Sequence, residues 1–247
     1  MQQQRERKND NYAGIFGENG EYIHTIMDES VEDRMGFIKK VYTILSVQLT
    51  FTAVFTFVVM SAQSTFIPIL TNPGVSSLII VAYIGSICAL VCCGLDKKLP
   101  INYILLAVFT FCVSYIVSLT CLRYTVSSVV QAASLTAGVS IAITVYAATT
   151  KTDFTIFGPL IFIFGFVFAI TSIFFMLAWG PVSHLLFSAI GVILFSFYLI
   201  YDTQVIIGGK NRKEALQLDD YILASVTLYL DVINLFLYIL ALIGEEK

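Results

Sequence analysis

"FYLIYDTQVIIGG", residues 197–209, carries one aspartate, Asp202, through a run whose other residues are mostly fit for oil. A stretch of this kind is either the buried core of a soluble domain or part of a membrane span, and the rest of the chain decides which. Of 247 residues, 57% are hydrophobic, and the mean hydropathy is +0.85. Soluble domains are only about half apolar. A hydrocarbon core about 30 Å thick needs about 20 apolar residues per helix, because each residue rises about 1.5 Å. Seven apolar windows of that length, five uncharged and two with a single aspartate, stand out, at 41–61, 75–95, 101–122, 127–148, 157–179, 185–207 and 221–243. The sequence therefore predicts an all-α polytopic membrane protein with seven transmembrane helices.

Helices are expected rather than strands because the windows are continuous apolar runs, whereas a membrane barrel needs shorter alternating segments. Pro68, Pro73, Pro100, Pro159 and Pro181 fall between windows or in a window's first turn, where a missing N–H breaks no helical bond. The sequence thus divides into a polar tail (1–34), a seven-helix domain (35–243) and a short C-terminal tail (244–247). Nothing near the start has the form of a cleavable signal, so the first span itself directs insertion. Ser30, Val31, Glu32 and Asp33 form a capping sequence, and Val31, Met35 and Ile38 recur at helical spacing, so the first helix should begin before the membrane does.

Basic residues set the orientation. With a cytosolic N-terminus, Arg5, Arg7, Lys8, Arg34, Lys39, Lys40, Lys97, Lys98, Lys151, Lys210, Arg212 and Lys213 are cytosolic, and only Arg123 and Lys247 are not. That bias matches the positive-inside rule. If the last window instead enters and leaves by the cytosolic face, Lys247 joins the majority, and charge alone does not separate the two endings. No basic stripe suggests nucleic acid as a partner. Cys88, Cys92, Cys93, Cys112 and Cys121 lie inside windows, a poor framework for disulfides or zinc, and read as small packing residues. Gly85 and Ala89, like Ala133, Ala137 and Gly138, are spaced to allow close helix approach.

Of seventeen acidic residues, only Asp202 and Asp231 lie inside windows, and no basic residue accompanies them there. An ionised carboxylate facing lipid at mid-bilayer costs about 2.5–3.5 kcal/mol on insertion scales, so both should face protein, water or each other. The sixth and seventh windows are joined by a short polar loop and should pack antiparallel. Counted from their cytosolic ends, Asp202 lies about 9 Å deep and Asp231 about 15 Å deep, so their side chains can meet. Thr227, Asp231 and Asn234 share one helix face, and Tyr198 lies four residues before Asp202, suggesting a polar seam that can hydrogen-bond a carboxyl. Two touching carboxyls share one proton and titrate as a pair. With that proton they clasp two helices; without it they repel and attract a divalent cation. Cation permeation controlled by protonation is one reading, and a static polar staple is the other.

Enzyme readings fit poorly, and no cofactor is expected. Tyr201 and Asp202 resemble half of a presenilin-type protease signature, but Asp231 follows Leu228, Tyr229 and Leu230 where Gly-x-Gly should stand, and no Pro-Ala-Leu follows. A zinc hydrolase needs clustered histidines, and His24 and His184 are far apart and read as solvent-facing. A rhomboid-type Gly-x-Ser-x-Gly motif is missing. Asp219 and Asp220, at the mouth of the seventh window, serve either as helix caps or to attract cations. Gln48 and Gln131 either line a cavity or bond between helices, and Lys151 and Asp153 read as an interfacial anchor.

"VYTILSVQL" from Val41, "ITVYAATTKTDF" from Ile143, "LIYDTQ" from Leu199 and "LYLDVINLFLYIL" from Leu228 together resemble the Bax inhibitor motif, or lifeguard, family from about Met35 to Leu242. The short tail, with its first proline at Pro68, resembles the Golgi anti-apoptotic branch. The resemblance implies a seven-helix fold with the last helix central and residence in Golgi or endoplasmic reticulum membranes. It further implies a pH-sensitive calcium leak, with suppression of cell death through lowered store calcium. Calcium is then the permeant ion, held transiently by Asp202 and Asp231, which match the family's paired aspartates. The second window lacks the basic partner that some bacterial relatives offer. Two alternatives stay open: a non-conducting regulator that binds cell-death proteins or other channels, and a proton-coupled calcium exchanger.

Overall fold

The computed structural model describes residues 31–175, 181–208 and 216–247. Its helices are α1 (Val31–Ser61), the short α2 (Gln63–Leu70), α3 (Pro73–Val91), α4 (Ile101–Cys121), α5 (Val126–Thr149), α6 (Gly158–Phe175), α7 (Pro181–Ile207) and α8 (Tyr221–Ile243). A single 3₁₀ turn, Thr155–Phe157, leads into α6. Seven of these helices are long and apolar enough to cross a membrane, and no strand is present among the described residues. The protein is an integral membrane protein. α1 begins at Val31, ten residues ahead of the apolar window, as the spacing of Val31, Met35 and Ile38 predicts. Most of the expected tail lies outside the described residues.

α8 is the axis. It packs against α1, α4, α5 and α7, whereas α3 leans on α4 and α6 on α7. Tyr229, Leu235 and Leu240 along it are fully buried, while Phe162, Phe164 and Phe166 of α6 are exposed. Lipid is as apolar as leucine, so no hydrophobic gain sorts these residues, and packing and polar contacts decide what turns inward. The α1–α4 interface follows that logic. Gln48 Nε2 donates to Thr110 Oγ1 (3.0 Å), Thr52 meets Ser114 (2.9 Å), and Thr56 meets Ser118 (3.1 Å). Both partners advance by four residues per rung, so α1 and α4 run parallel, and α3 between them returns.

The ends of the bundle are distinct. Lys97, before α4, bonds Asp219 and Asp220, before α8. Arg34 and Thr152 contact the end of α7 at the same face. At the other face the C-terminal residues pair with the α4–α5 turn: Thr125 N donates to Glu245 O (3.0 Å), and Lys247 N to Arg123 O (2.9 Å). α8 therefore runs the whole length of the bundle, about 34 Å at 1.5 Å per residue, and does not re-enter. Among the described basic residues, Arg34, Lys97 and Lys151 lie at one end and Arg123 and Lys247 at the other.

Several expectations are corrected. Gly85, Ala133, Ala137 and Gly138 are exposed, so they do not bring helices together; Ala133 and Ala137 instead line a cleft of about 770 Å3 between α1 and α5. Close approach occurs elsewhere, where α6 and α7 glycines seat tyrosines: Gly158 faces Tyr201, Gly165 faces Tyr198, and Gly191 lies under the Tyr238 ring. Cys112 and Cys121 are buried as packing residues, but Cys88, Cys92 and Cys93 are exposed, the last two beyond the end of α3. Pro68 does fall between the windows, but inside the short α2.

Gly191 supports a test. Tyr238 is enclosed by Phe168, Phe187 and Phe195, so it cannot swing away from an added methyl group. Gly191→Ala is expected to destabilise the protein by about 1–3 kcal/mol, the usual cost of overpacking. Gly138→Ala, with open space around it, should be neutral. Thermal unfolding in detergent checks both, and equal melting points would refute the packing assignment.

Candidate functional site

α7 and α8 make the most extensive helix pair in the molecule. Across it the side chains of Asp202 and Asp231 come within hydrogen-bonding reach. Asp231 is only 4% exposed, and its Oδ2 has no hydrogen-bond partner among the described residues. A pair of ionised carboxylates offers acceptors and no donor, so a direct bond between them requires one proton. Neither carboxyl lines the cleft between α1 and α5.

The expected seam is built differently. Tyr198 Oη donates to Ile161 O on α6 (3.1 Å), Thr227 Oγ1 to Ala224 O (3.0 Å), and Asn234 Nδ2 to Leu230 O (2.8 Å). The two hydroxyl protons are thus committed to backbone carbonyls. Tyr198 still lies close enough to feel both carboxyl charges.

Asp219 and Asp220 hold a lysine. Both hold Lys97 Nζ, at 3.0 and 2.8 Å, and Asp220, at the N-cap position, makes no side-chain cap bond. Its Oδ2 instead accepts from Gln217 N (3.2 Å). Hydrogen bonds donated to Asp220 and Asp219 push the Lys97 pKa above its ordinary value. A raised lysine pKa contributes stability that is complete below the unfolded value, about 10.4, and is lost only as pH rises through the folded one. Any pH response between 5 and 8 therefore has another origin. Lys97 and Asp219 are half exposed, so solvent screening keeps the clamp weak.

Two residues that pattern-reading missed hold the end of α7. Gln204, fully buried, donates from Nε2 to Ala147 O (3.3 Å) and Thr152 O (3.0 Å) and accepts from Phe154 N (2.7 Å). Its signal was an amide inside an apolar span, which must find partners. Arg34 donates to carbonyls at the end of α7 and before α8. Asp153 is a local cap: its Oδ1 accepts from Thr155 N (3.0 Å) and Oγ1 (2.7 Å), starting the turn into α6. Lys151 is exposed. Gln48 is an interhelical bond, as read, but Gln131 is exposed. His184 is half-buried near the start of α7, and His24 lies outside the described residues. No group of three or more His, Cys, Asp or Glu side chains that could hold a metal exists among the described residues, so at the pair these residue types would supply two carboxylates and no more.

Fold and site together define a polytopic helical membrane protein with an acidic pair between its axial helix and a neighbour. The family model described as Inhibitor of apoptosis-promoting Bax1 matches residues 34–247. Protein lifeguard 3 of Homo sapiens is 35% identical over 226 residues, covering 87% of this chain and 70% of the relative. Protein LIFEGUARD 4 of Arabidopsis thaliana is 37% identical over 248 residues, covering 96% and 95%. Protein LIFEGUARD 2 of the same plant is 35% identical over 232 residues, covering 90% and 92%. The chain belongs to the Bax inhibitor, or lifeguard, family.

Proposed function

We propose that the protein is a pH-sensitive calcium leak pathway of Golgi or endoplasmic reticulum membranes. Its N-terminus faces the cytosol, and it restrains cell death by lowering stored calcium. The observation that carries the reading is the contact between Asp202 and Asp231 inside the bundle, with no lysine or arginine in either span to neutralise it. With one proton the two carboxyls bond and draw α7 against α8. Loss of that proton leaves two negative charges in a medium of low dielectric, where their repulsion is large, and α7 separates. The freed oxygens are hard ligands of the kind calcium prefers. α6, which packs mainly on α7 with Phe168 reaching Tyr238 of α8, can follow that movement. The basic residues gathered at the Arg34 end support the orientation, and the family description supports the anti-apoptotic role. In this reading the pair is a gate and performs no catalysis.

Purified protein in liposomes loaded with a calcium dye tests it. The leak is expected to rise as pH rises through the titration of the pair, and Asp202→Asn or Asp231→Asn should flatten that dependence. Silence across pH 5 to 8 would overturn the leak and favour a non-conducting regulator. Transport that requires an opposing proton gradient would point to an exchanger.

A further inference from the structure

Asp202 is placed by the last turn of α7, and that turn is fastened from another helix. The Arg34 guanidinium on α1 donates from Nε to Ile207 O (3.1 Å), from Nη2 to Val205 O (3.3 Å) and from Nη1 to Leu216 O (2.6 Å). The last four carbonyls of a helix have no intrahelical donor, and Val205 O and Ile207 O are two of these. The cation also complements the negative end of the helix dipole. Leu216 lies on the approach to α8, so one side chain ties α1 to both helices of the acidic pair. The Phe37 ring lies 5.1 Å from the guanidinium carbon. Gly208 completes the seat. Its φ of +61° suits glycine, and a methyl group there would overlap the guanidinium.

We infer that Arg34 is a positioning residue for the Asp202–Asp231 pair, holding the turn three to five residues beyond Asp202 so that its carboxyl meets Asp231. This rests on the gating reading above. The groups that face the pair and α7 leave few other sources of a pH response. α7 adds Tyr198 and Tyr201, and its His184 stands about 27 Å from Asp202 along the helix, at the other end; α8 supplies Asp231, α1 brings Tyr42 near Thr203, α5 carries only Tyr146, and α6 carries no titratable residue. Ordinary phenols stay neutral at pH 5 to 8.

The test compares calcium leak from liposomes across pH 5 to 8 for the full chain and for Arg34→Ala, Arg34→Lys and Gly208→Ala. Arg34→Ala and Gly208→Ala should each raise the leak under closing conditions by roughly tenfold, as when one state of two loses a hydrogen bond to a charged group. The midpoint should move to lower pH, because a weakened closed contact gives up its proton sooner. Arg34→Lys should restore part of the wild-type profile, since an ammonium reaches one carbonyl but lacks the fork. In an Asp202→Asn background, Arg34→Ala should add nothing. A wild-type pH profile in folded Arg34→Ala, or an undiminished effect in the Asp202→Asn background, overturns the assignment. Should Arg34→Ala not fold, Gly208→Ala and Arg34→Lys carry the same comparison. If the wild type passes no calcium, the gating reading falls, and amide hydrogen exchange decides the positioning. Faster exchange across residues 203–208 in Arg34→Ala, with α4 unchanged, upholds it, and unchanged exchange refutes it.

Discussion

Gln204→Ala is expected to destabilise the fold by about 2–4 kcal/mol, because each buried polar group left unsatisfied costs about 1–3 kcal/mol and this change strands several. Phe154 N–H loses its acceptor, and the carbonyls of Ala147 and Thr152 lose a donor. Gln204 and Ala147 are both fully buried, so water does not readily replace the lost amide there. Gln204→Met keeps the volume and removes the hydrogen bonds, so it should be nearly as damaging as alanine. A thermal melt in detergent distinguishes the causes. If methionine restores the wild-type midpoint, volume and not hydrogen bonding holds α5, the following loop and α7 together.

Tyr229 should show the opposite balance. Its hydroxyl meets Thr52 Oγ1 at 2.7 Å, and its ring packs edge-on against Phe109 with centroids 6.1 Å apart. Interhelical hydrogen bonds inside membranes average about 0.6 kcal/mol and reach about 1.7, partly because the inserted but unassembled helices also find partners. Emptying a site of this size costs about 3–5 kcal/mol. Tyr229→Phe is therefore expected to be mild and Tyr229→Ala severe, as read from unfolding in mixed micelles. Comparable losses for the two would mean that the hydroxyl network, and not the ring, is the main support of the core.

The contrast between these residues explains what the sequence could disclose. The seven spans were legible because bilayer thickness imposes a length that uncharged runs either meet or fail, and the last window, 221–243, coincides with α8. The acidic pair was legible too, since burying two carboxylates is so costly that a short loop between their helices nearly dictates that they meet. Direction around each helix was not. Exposed Gly138 and buried Gly191 look alike in a chain whose solvent is as apolar as its core. Tyr198, Thr227 and Asn234 share the right faces, yet nearby backbone carbonyls compete for their protons and win. The contacts of Arg34 with Leu216 and of Lys97 with Asp219 span more than a hundred residues, and only packing creates them.

The rungs joining Gln48, Thr52 and Thr56 to α4 bear on how such a molecule can deform. Two rods riveted at three heights resist sliding and rolling, since either motion must shear every rivet together. Flexing is then left to α6, which rests mainly on α7 with its glycines cupping tyrosine rings.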